Sequence, residues 1–220
     1  KVCKKANVPQ GFVLTTYALK NIDNISIQEK IMEEIALLKC PFIIIRSSHE
    51  SEDRDHSSYA GLYESYVNVD VLDREKIFSL IKAVYCSGNE NVLDKYIEER
   101  SGEMHVIIQE MIKADISGVI LTSVPYCGYE YMLTEYTTGD LCYLMQGEVT
   151  PAVAYISKID ILNSKSEFAS YPAIISANIT ASFFNLSRVA LDLENLFSHR
   201  LEIEWGIKDG KVYIFQARYY

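Results

Sequence analysis

Helical and strand patterns follow one another along the whole chain, and this succession limits the fold more than any other feature of the sequence. Apolar residues recur at helical spacing over residues 27–39, after a capping box formed by Ser26 and Glu29. The apolar run 42–45 then predicts a short buried strand that leads to Arg46. Interleaved elements of both kinds predict an α+β or α/β chain rather than an all-helical or all-strand one.

The rest of the sequence predicts more helix in the middle and near the end, with strands between. Asp73 is placed to cap a helix that carries Ile77 and Val84, and further helices are expected over residues 92–99 and 180–198. Strands are predicted at 104–109, 118–123, 129–135, 141–146 and 152–158. The second half of the chain is therefore expected to be mostly sheet.

The last two predicted strands, 201–207 and 213–218, form a hairpin in which apolar and polar residues alternate. A two-residue loop would set the apolar positions of one strand against polar positions of the other. The pattern therefore favours a three-residue loop, 208–210, with Gly210 in the left-handed conformation. The residues that then share the polar face are Glu204, Gln216 and Arg218.

This polar face has two interpretations. A carboxylate oxygen beside an amide oxygen suits Mg²⁺, which takes few protein ligands and completes its shell with water and phosphate oxygens. A guanidinium group next to them would bind a phosphate. In the other interpretation the face is solvated, and the arginine forms a surface ion pair worth under about 1 kcal/mol. The hairpin alone leaves both interpretations open.

Charge and cysteine content narrow the class of protein. The net charge of −9 repels nucleic acid and anionic membranes, so a polyanionic ligand needs a locally positive pocket or a metal cation. The apolar runs fall far short of the roughly 20 residues that cross a bilayer. The five cysteines form no CxxC pair and leave one over, which favours reduced thiols in a cytoplasmic protein. We expect neither nucleic acid nor a membrane as a partner.

Five motif blocks stand in order along the chain. They are 8–16; Arg46-Ser47-Ser48 with Glu52-Asp53, 58–61 and 66–69; 109–112 with Asp115, 117–119 and Thr122; 147–151; and 203–205 with Gln216-Ala217-Arg218. In this order they resemble the ATP-binding domain of the pyruvate phosphate dikinase and phosphoenolpyruvate synthase family. The resemblance implies an α+β, ATP-grasp-like fold in which two lobes enclose a nucleotide cleft. It places an N-terminal lobe at residues 1–102 and a C-terminal lobe at 103–220.

The resemblance also implies a role for each matching residue. The expected catalytic residues are Arg46 and Arg218, which would bind the phosphates. The expected nucleotide-binding residues are Arg46, Ser58, Gly61, Gln109, Glu110, Met111, Ile112 and Glu135. Within this set, residues 58–61 would form a loop over the phosphates and residues 109–112 would bind adenine. The expected Mg²⁺ ligands are Glu204 and Gln216.

The activity that the resemblance implies needs partners beyond this segment. Such a domain uses Mg²⁺ and ATP to phosphorylate a carrier histidine on a separate domain, and AMP and phosphate are released. The phosphoryl group then passes to pyruvate or another small acceptor. The expected partners are therefore the phosphohistidine and acceptor-binding domains of the same full-length protein, together with a small-molecule acceptor.

The sequence departs from the family pattern at a few positions. The usual Gly-Gly-Lys element would lie before Lys1, and Gly139 is followed by Asp140-Leu141-Cys142 where the family has Leu-Gly-Glu. Ala152 replaces the acid that often follows Thr-Pro in the family. These departures keep a second hypothesis open, a degenerate nucleotide-binding or regulatory module without catalysis. A carboxylate–amine ligase is a third, which the motifs favour less.

Overall fold

The computed structural model describes residues 6–49, 53–54, 57–58, 65–87, 104–125, 129–163, 169–171 and 177–220. The helices are α1 (Thr16–Lys20), α2 (Ile25–Leu37), α3 (Arg74–Ser87), α4 (Leu141–Met145), α5 (Lys158–Leu162) and α6 (Ala177–Phe197). The strands are β1 (Ala6–Asn7), β2 (Gly11–Leu14), β3 (Phe42–His49), β4 (Asp53–Arg54), β5 (Ser57–Ser58), β6 (Ser65–Asp70), β7 (Met104–Glu110), β8 (Ile116–Leu121), β9 (Tyr131–Thr138), β10 (Ala152–Ser157), β11 (Ala169–Tyr171), β12 (Leu201–Lys208) and β13 (Lys211–Tyr219).

The chain divides into two compact units. Residues 10–111 form one, here the four-strand unit, and residues 1–9 with 112–220 form the other, here the seven-strand unit. The predicted lobe boundary between residues 102 and 103 lies outside the described residues and stays a prediction. Strand β7, which begins at Met104, belongs to the sheet of the four-strand unit.

The four-strand unit has an antiparallel sheet in the order β2-β7-β3-β6. Alternate residues of β3 and β7 are buried and form one apolar core with α2 and α3. The fully buried members of this core include Ile43, Ile45, Ile77, Ile81, Val106 and Ile108. The strand alternation thus places Arg46 on the opposite face of the sheet from this core.

The seven-strand unit has a sheet in the order β1-β13-β12-β8-β9-β10-β11. Helix α6 supplies the buried residues Phe183 and Leu186 to its core. The Phe183 ring lies between Tyr136 and Trp205, with centroids 5.0 and 5.5 Å away. Trp205 Nε1 also donates to Thr134 Oγ1 at 3.2 Å, so the one buried indole N–H is satisfied. These contacts identify one face of the sheet as the core face.

Most of the predicted helices are confirmed. The helix expected at 27–39 is α2, but its cap is Asn24, whose side chain accepts from Ser26 N, so the predicted capping box at Ser26 was wrong. Asp73 caps α3 as predicted, and its Oδ1 accepts from Lys76 N at 3.0 Å. The long helix near the end is α6. The helix expected at 92–99 lies outside the described residues. Among the described residues, no helix has the length and apolarity to cross a membrane.

The prediction of a strand at 141–146 was wrong, because this segment is the short helix α4. Gly139, at φ 85°, turns the chain after β9. Gly147, at φ 72°, ends the helix in a Schellman motif, in which Gly147 N donates to Leu144 O and Glu148 N to Tyr143 O, each at 3.0 Å. The other four strands predicted between 104 and 158 are confirmed with shifted ends.

The terminal hairpin is confirmed, but its predicted three-residue loop was wrong. Lys208 pairs with Lys211, so the loop has two residues, Asp209 at φ 50° and Gly210 at φ 71°. The extra residue is instead a bulge in β13, since Glu204 lies opposite Gln216 and Trp205 opposite Ile214. The core-facing residues of β13 beside the turn are therefore Val212 and Ile214, not Tyr213 and Phe215.

Candidate functional site

The face of the seven-strand sheet opposite the core carries a row of polar side chains. Glu204 on β12 lies directly opposite Gln216 on β13 and, on its other side, opposite Val119 on β8. Val119 in turn lies opposite Glu135 on β9. Residues directly opposite in an antiparallel ladder point to the same face. The predicted residues Glu135, Glu204 and Gln216 therefore share one face, as predicted for the last two.

The spacing within this row decides which side chains can hold one ligand atom together. Neighbouring strands lie about 4.8 Å apart, so Glu204 and Gln216 are adjacent. Glu135 lies two strands from Glu204, or roughly 10 Å along the row. Glu204 and Gln216 can thus share a cation, while Glu135 is placed to contact a different part of an extended ligand.

Arg218 lies on the same face and is held by a carboxylate that sequence reasoning missed. Glu202 stands directly opposite Arg218 across the hairpin. Its Oε1 accepts from Arg218 Nε at 2.8 Å and also from Nη2. The side chains of Arg218 and Glu202 are only 17% and 22% exposed. The pair is therefore partly buried, unlike the solvated pair of the alternative interpretation, and the register of the two strands was the signal that could have revealed it.

The donor set at Glu204 and Gln216 fits Mg²⁺. Both side chains offer oxygen atoms from adjacent strands, and a Mg²⁺ site commonly uses one or two carboxylates while phosphate and water oxygens supply the rest. Among the described side chains, no group of three or more His, Cys, Asp or Glu is placed to hold a metal ion. This pair therefore suits a cation that arrives with a phosphate ligand better than one held by protein atoms alone.

In the four-strand unit, Arg46 and Gln109 lie on one face. Arg46 pairs with Ile107 on β7, and Gln109 pairs with Ile44 on β3, so both polar side chains point away from the buried set. Arg46 is partly buried between Ser65 of β6 and Ile107 of β7. The sheet thus places a guanidinium group and a carboxamide as diagonal neighbours.

The predicted adenine-binding segment is tied to the four-strand unit by its own polar groups. Glu110 Oε1 accepts from Gln10 N at 2.8 Å, and Glu110 N donates to Gln10 O at 2.8 Å. Met111 N donates to Phe42 O at 2.9 Å. These bonds occupy the Glu110 carboxylate and the backbone N–H groups of Glu110 and Met111. The next backbone groups along the chain are those of Ile112 and Lys113.

The predicted phosphate-covering loop is only partly described. Ser58 lies in β5, which pairs with β4 in a two-stranded sheet. The Ser58 side chain and Gly61 lie outside the described residues. Their roles stay predictions.

Two partly buried thiols are kept in the protonated form. Burial raises the pKa of Cys142, and the nearby carboxylates of Asp140 and Glu148 raise it further. Burial and the charge of Glu110 likewise raise the pKa of Cys40. A protonated thiol is a poor nucleophile and metal ligand. Cys142, which stands where the family pattern has an acid, therefore carries no charge at neutral pH.

A cavity of about 450 Å³ lies elsewhere in the seven-strand unit, and none of the predicted residues lines it. Its lining includes Ser123, Lys158 and Glu194. Lys158 Nζ donates to Glu194 Oε2 at 2.7 Å and to Ser123 Oγ at 2.6 Å, and Thr122 Oγ1 donates to Glu194 Oε1 at 3.0 Å. Lys158 and Glu194 thus satisfy one another together with two hydroxyl groups, which is typical of a structural network.

Comparison with known families matches residues 26–171 to the pyruvate phosphate dikinase, AMP/ATP-binding domain. An uncharacterised phosphotransferase of Bacillus subtilis is 26% identical, over 80% of this chain and 24% of its own length. The phosphoenolpyruvate synthase of Neisseria meningitidis is also 26% identical, over 80% of this chain and 27% of its own length. The rifampicin phosphotransferase of Bacillus cereus is 23% identical, over 79% of this chain and 23% of its own length. The chain thus spans about a quarter of the length of these relatives.

Solved structures show the fold. The dinucleotide-forming acetyl-coenzyme A synthetase 1 of Ca. Korarchaeum cryptofilum matches with a TM-score of 0.51 at 12% identity, over 96% of this chain and 85% of its own. D-alanyl-alanine synthetase A of Vibrio cholerae matches with a TM-score of 0.50 at 11% identity, over 97% of this chain and 50% of its own. The expected α+β, ATP-grasp-like fold is confirmed. Since the matched residues cover most of the sequence, the chain belongs to the family of the pyruvate phosphate dikinase AMP/ATP-binding domain.

Proposed function

We propose that this chain is the ATP-binding part of a dikinase-type phosphotransferase. In this function it uses Mg²⁺ and ATP to phosphorylate a carrier histidine on a separate domain, with release of AMP and phosphate. Pyruvate or another small molecule is the final acceptor. The observation that carries the proposal is the pairing of Glu204 with Gln216 across the hairpin, with Arg218 on the same face. Phosphotransferases among the relatives support the same class of reaction.

The proposed roles follow from the chemistry of each side chain. Glu204 and Gln216 offer oxygen atoms to Mg²⁺, which when bound neutralises phosphate charge. Arg218 donates to the phosphoryl group that is transferred, and Glu202 holds its guanidinium group in place. Arg46 donates to other phosphate oxygens, through charge-assisted bonds worth roughly 1.5–3 kcal/mol each.

The remaining proposed residues complete the contacts with the nucleotide. The segment formed by Gln109, Glu110, Met111 and Ile112 binds adenine, with the Met111 side chain against the ring. Glu135 contacts the nucleotide at a distance from the metal. Ser58 and Gly61 belong to the loop that covers the phosphates.

Calorimetry of this chain with ATP tests the proposal. Wild type is expected to bind ATP with Mg²⁺ present, and Glu204→Ala to weaken that binding by about tenfold to a hundredfold, because one charge-assisted contact is lost. With EDTA in place of Mg²⁺, wild type and variant are expected to bind alike. Glu34→Ala, which removes an exposed carboxylate from α2, is the matched control and should leave the affinity unchanged.

The absence of ATP binding by the wild-type chain would overturn the proposal. Equal loss in the Glu204 variant with and without Mg²⁺ would contradict the metal role alone. Histidine phosphorylation is then tested separately, by adding the carrier domain and [γ-³²P] or [β-³²P] ATP and following label on the histidine.

A degenerate nucleotide-binding or regulatory module is the second candidate. The observation that favours it is Cys142, which stands in place of the family's acid and has a raised pKa. This candidate predicts nucleotide binding with no label on the carrier histidine. A carboxylate–amine ligase, the third hypothesis, predicts release of ADP and phosphate instead of AMP, with an acyl phosphate as the intermediate.

A further inference from the structure

Asp140 holds the backbone of another segment instead of capping its own helix. It stands at the N-cap position of α4 and makes no side-chain cap bond there. Its Oδ1 accepts instead from Ala114 N at 3.2 Å. An Asp at an N-cap usually bonds to the first turn of its own helix, so this use of the carboxylate needs another explanation.

The turn that carries Asp140 is fixed to the same segment by two further bonds. Gly139 N donates to Asp115 O at 2.9 Å, and Ser117 Oγ donates to Gly139 O at 2.6 Å. Asp115 N in turn donates to Ile207 O at 2.8 Å. The Asp140 carboxylate is thus presented to Ala114 from a turn that is itself well anchored.

Ala114 lies at the C-terminal end of a short stretch of backbone, residues 111–114. At the other end of this stretch, Met111 N is held by Phe42 O at 2.9 Å. Only Ile112 and Lys113 lie between these two fixed residues. Within the seven-strand unit, the bond from Asp140 to Ala114 N restricts the backbone at the end of this stretch.

We propose that Asp140 is a positioning residue for nucleobase recognition, acting through the backbone of Ile112 and Lys113. This inference rests on the proposed function, in which the segment ending at Ile112 binds adenine. Asp140 does not touch the nucleotide. Its charge-assisted bond to Ala114 N fixes the conformation in which the preceding backbone N–H and C=O groups are presented to the base. The effect is specific to ligands that have a base.

Asp140→Ser tests the inference without taking a cap bond from α4, because the Asp140 side chain makes none there. Serine also suits the N-cap position, and its shorter side chain does not reach Ala114. The measurements are calorimetric Kd values for ATP and for tripolyphosphate, each with Mg²⁺. The variant is expected to bind ATP about tenfold more weakly, as for one lost hydrogen bond to a charged group, and tripolyphosphate with unchanged Kd. Asp140→Asn keeps an acceptor oxygen at the same reach and should restore most of the ATP affinity.

Asp73→Ala is the matched control, because it also removes a carboxylate bond to a backbone N–H, that of Lys76 in α3. It is expected to lower the melting temperature while both Kd values stay unchanged. Amide hydrogen exchange gives a second measurement that needs no ligand, and Asp140→Ser should speed exchange at Ala114.

Each result has a distinct meaning. Wild-type binding of ATP with an unchanged ATP Kd in Asp140→Ser overturns the inference and leaves the proposed function intact. Equal weakening of ATP and tripolyphosphate also overturns it, since a general loss of structure would act on both ligands. Failure of the wild-type chain to bind ATP overturns the proposed function and the inference together.

Discussion

Lys158 and Glu194 form an ion pair that is mostly out of contact with solvent. Each side chain is 18% exposed, and the surrounding hydroxyl groups of Thr122 and Ser123 bond to the same carboxylate. Removal of one partner from such a pair leaves the other charge in a poorly solvated place. The pair therefore matters for stability even though it lies away from the candidate site.

Lys158→Ala is expected to lower the free energy of unfolding by about 3 kcal/mol, because Glu194 is left without its cation. Urea denaturation measures the change. The control is Lys82→Ala, which breaks an ion pair with Asp23 whose side chains are 47% and 83% exposed, and should cost under about 1 kcal/mol. Similar losses in the two variants would contradict the buried network.

Cys142 is expected to react slowly with iodoacetamide at neutral pH in the folded chain. Its pKa is raised by burial and then by Asp140 and Glu148, so the reactive thiolate is scarce until the pH exceeds the usual thiol range. The same shift lowers stability as pH rises through that range, because the unfolded chain releases the thiol proton first. Site-resolved mass spectrometry would measure labelling, with the chain in urea as the reference. Equal rates in the folded and unfolded chain would contradict the shift.

At the scale of single residues, the face of the sheet on which each polar side chain lies could be predicted. Alternation in each strand places Glu204 and Gln216 on one face once the apolar residues of both strands are set on the core face. It does not reveal which residue stands opposite which, so the bond between Glu202 and Arg218 was missed. That pairing depends on register, which the bulge changes.

At the scale of elements, the hairpin shows why Glu204 and Gln216 were assigned to the right face although the predicted loop length was wrong. The sequence requires one extra residue somewhere in the hairpin to bring the two apolar patterns into agreement. An extra loop residue and a bulge both satisfy this requirement. The structure places it at the bulge near Glu204, which keeps the turn short and shifts the apolar residues beside it by one position.

Substitution of Gly206 tests whether the Phe215 ring packs over β12, as the bulge in the hairpin places it. A Cβ at Gly206 would lie 2.5 Å from the Phe215 ring and 3.1 Å from Ala114 Cβ. Gly206→Ala is therefore expected to destabilise the chain by about 1–3 kcal/mol through overpacking. The measurement is the urea midpoint.

Phe215→Ala in the same background should recover part of that loss, because it removes the ring that the new methyl group meets. If the two substitutions instead destabilise additively, the packing of Phe215 over Gly206 is contradicted.

Helix α4 shows the limit of short patterns. The apolar residues of segment 141–145 fit a strand as well as a single helical turn, since periodicity does not separate the two at this length. The glycines at 139 and 147 were the better signal, because both adopt positive φ and mark the two ends of the element.

At the scale of the whole molecule, fold class and family could be predicted, while the pairing of strands that are far apart in the sequence could not. The motif blocks identify the family over most of the sequence. Strand β7 lies between β2 and β3 in its sheet but follows both in the sequence, and β1 pairs with β13 at the other end of the chain. Residue patterns contain no information about such distant partners.

Ligand binding should raise the stability of the whole chain if the proposed function is right. At ATP concentrations about 100 times Kd with Mg²⁺ present, the gain is about 2.7 kcal/mol. For a chain of this size, that corresponds to a rise of roughly 5–10 °C in the melting temperature. EDTA should abolish most of the rise, because the phosphates then lack their metal. A rise of the same size with EDTA would contradict the metal dependence.

The pairing of β1 with β13 makes the four-strand unit an insertion in the sequence of the seven-strand unit. Its first strand residue, Gly11, lies directly opposite Gln109 near its last. The segment therefore starts and ends at neighbouring points. Replacing residues 10–111 as one piece would need only two new chain junctions and would leave the strand order of the seven-strand sheet unchanged.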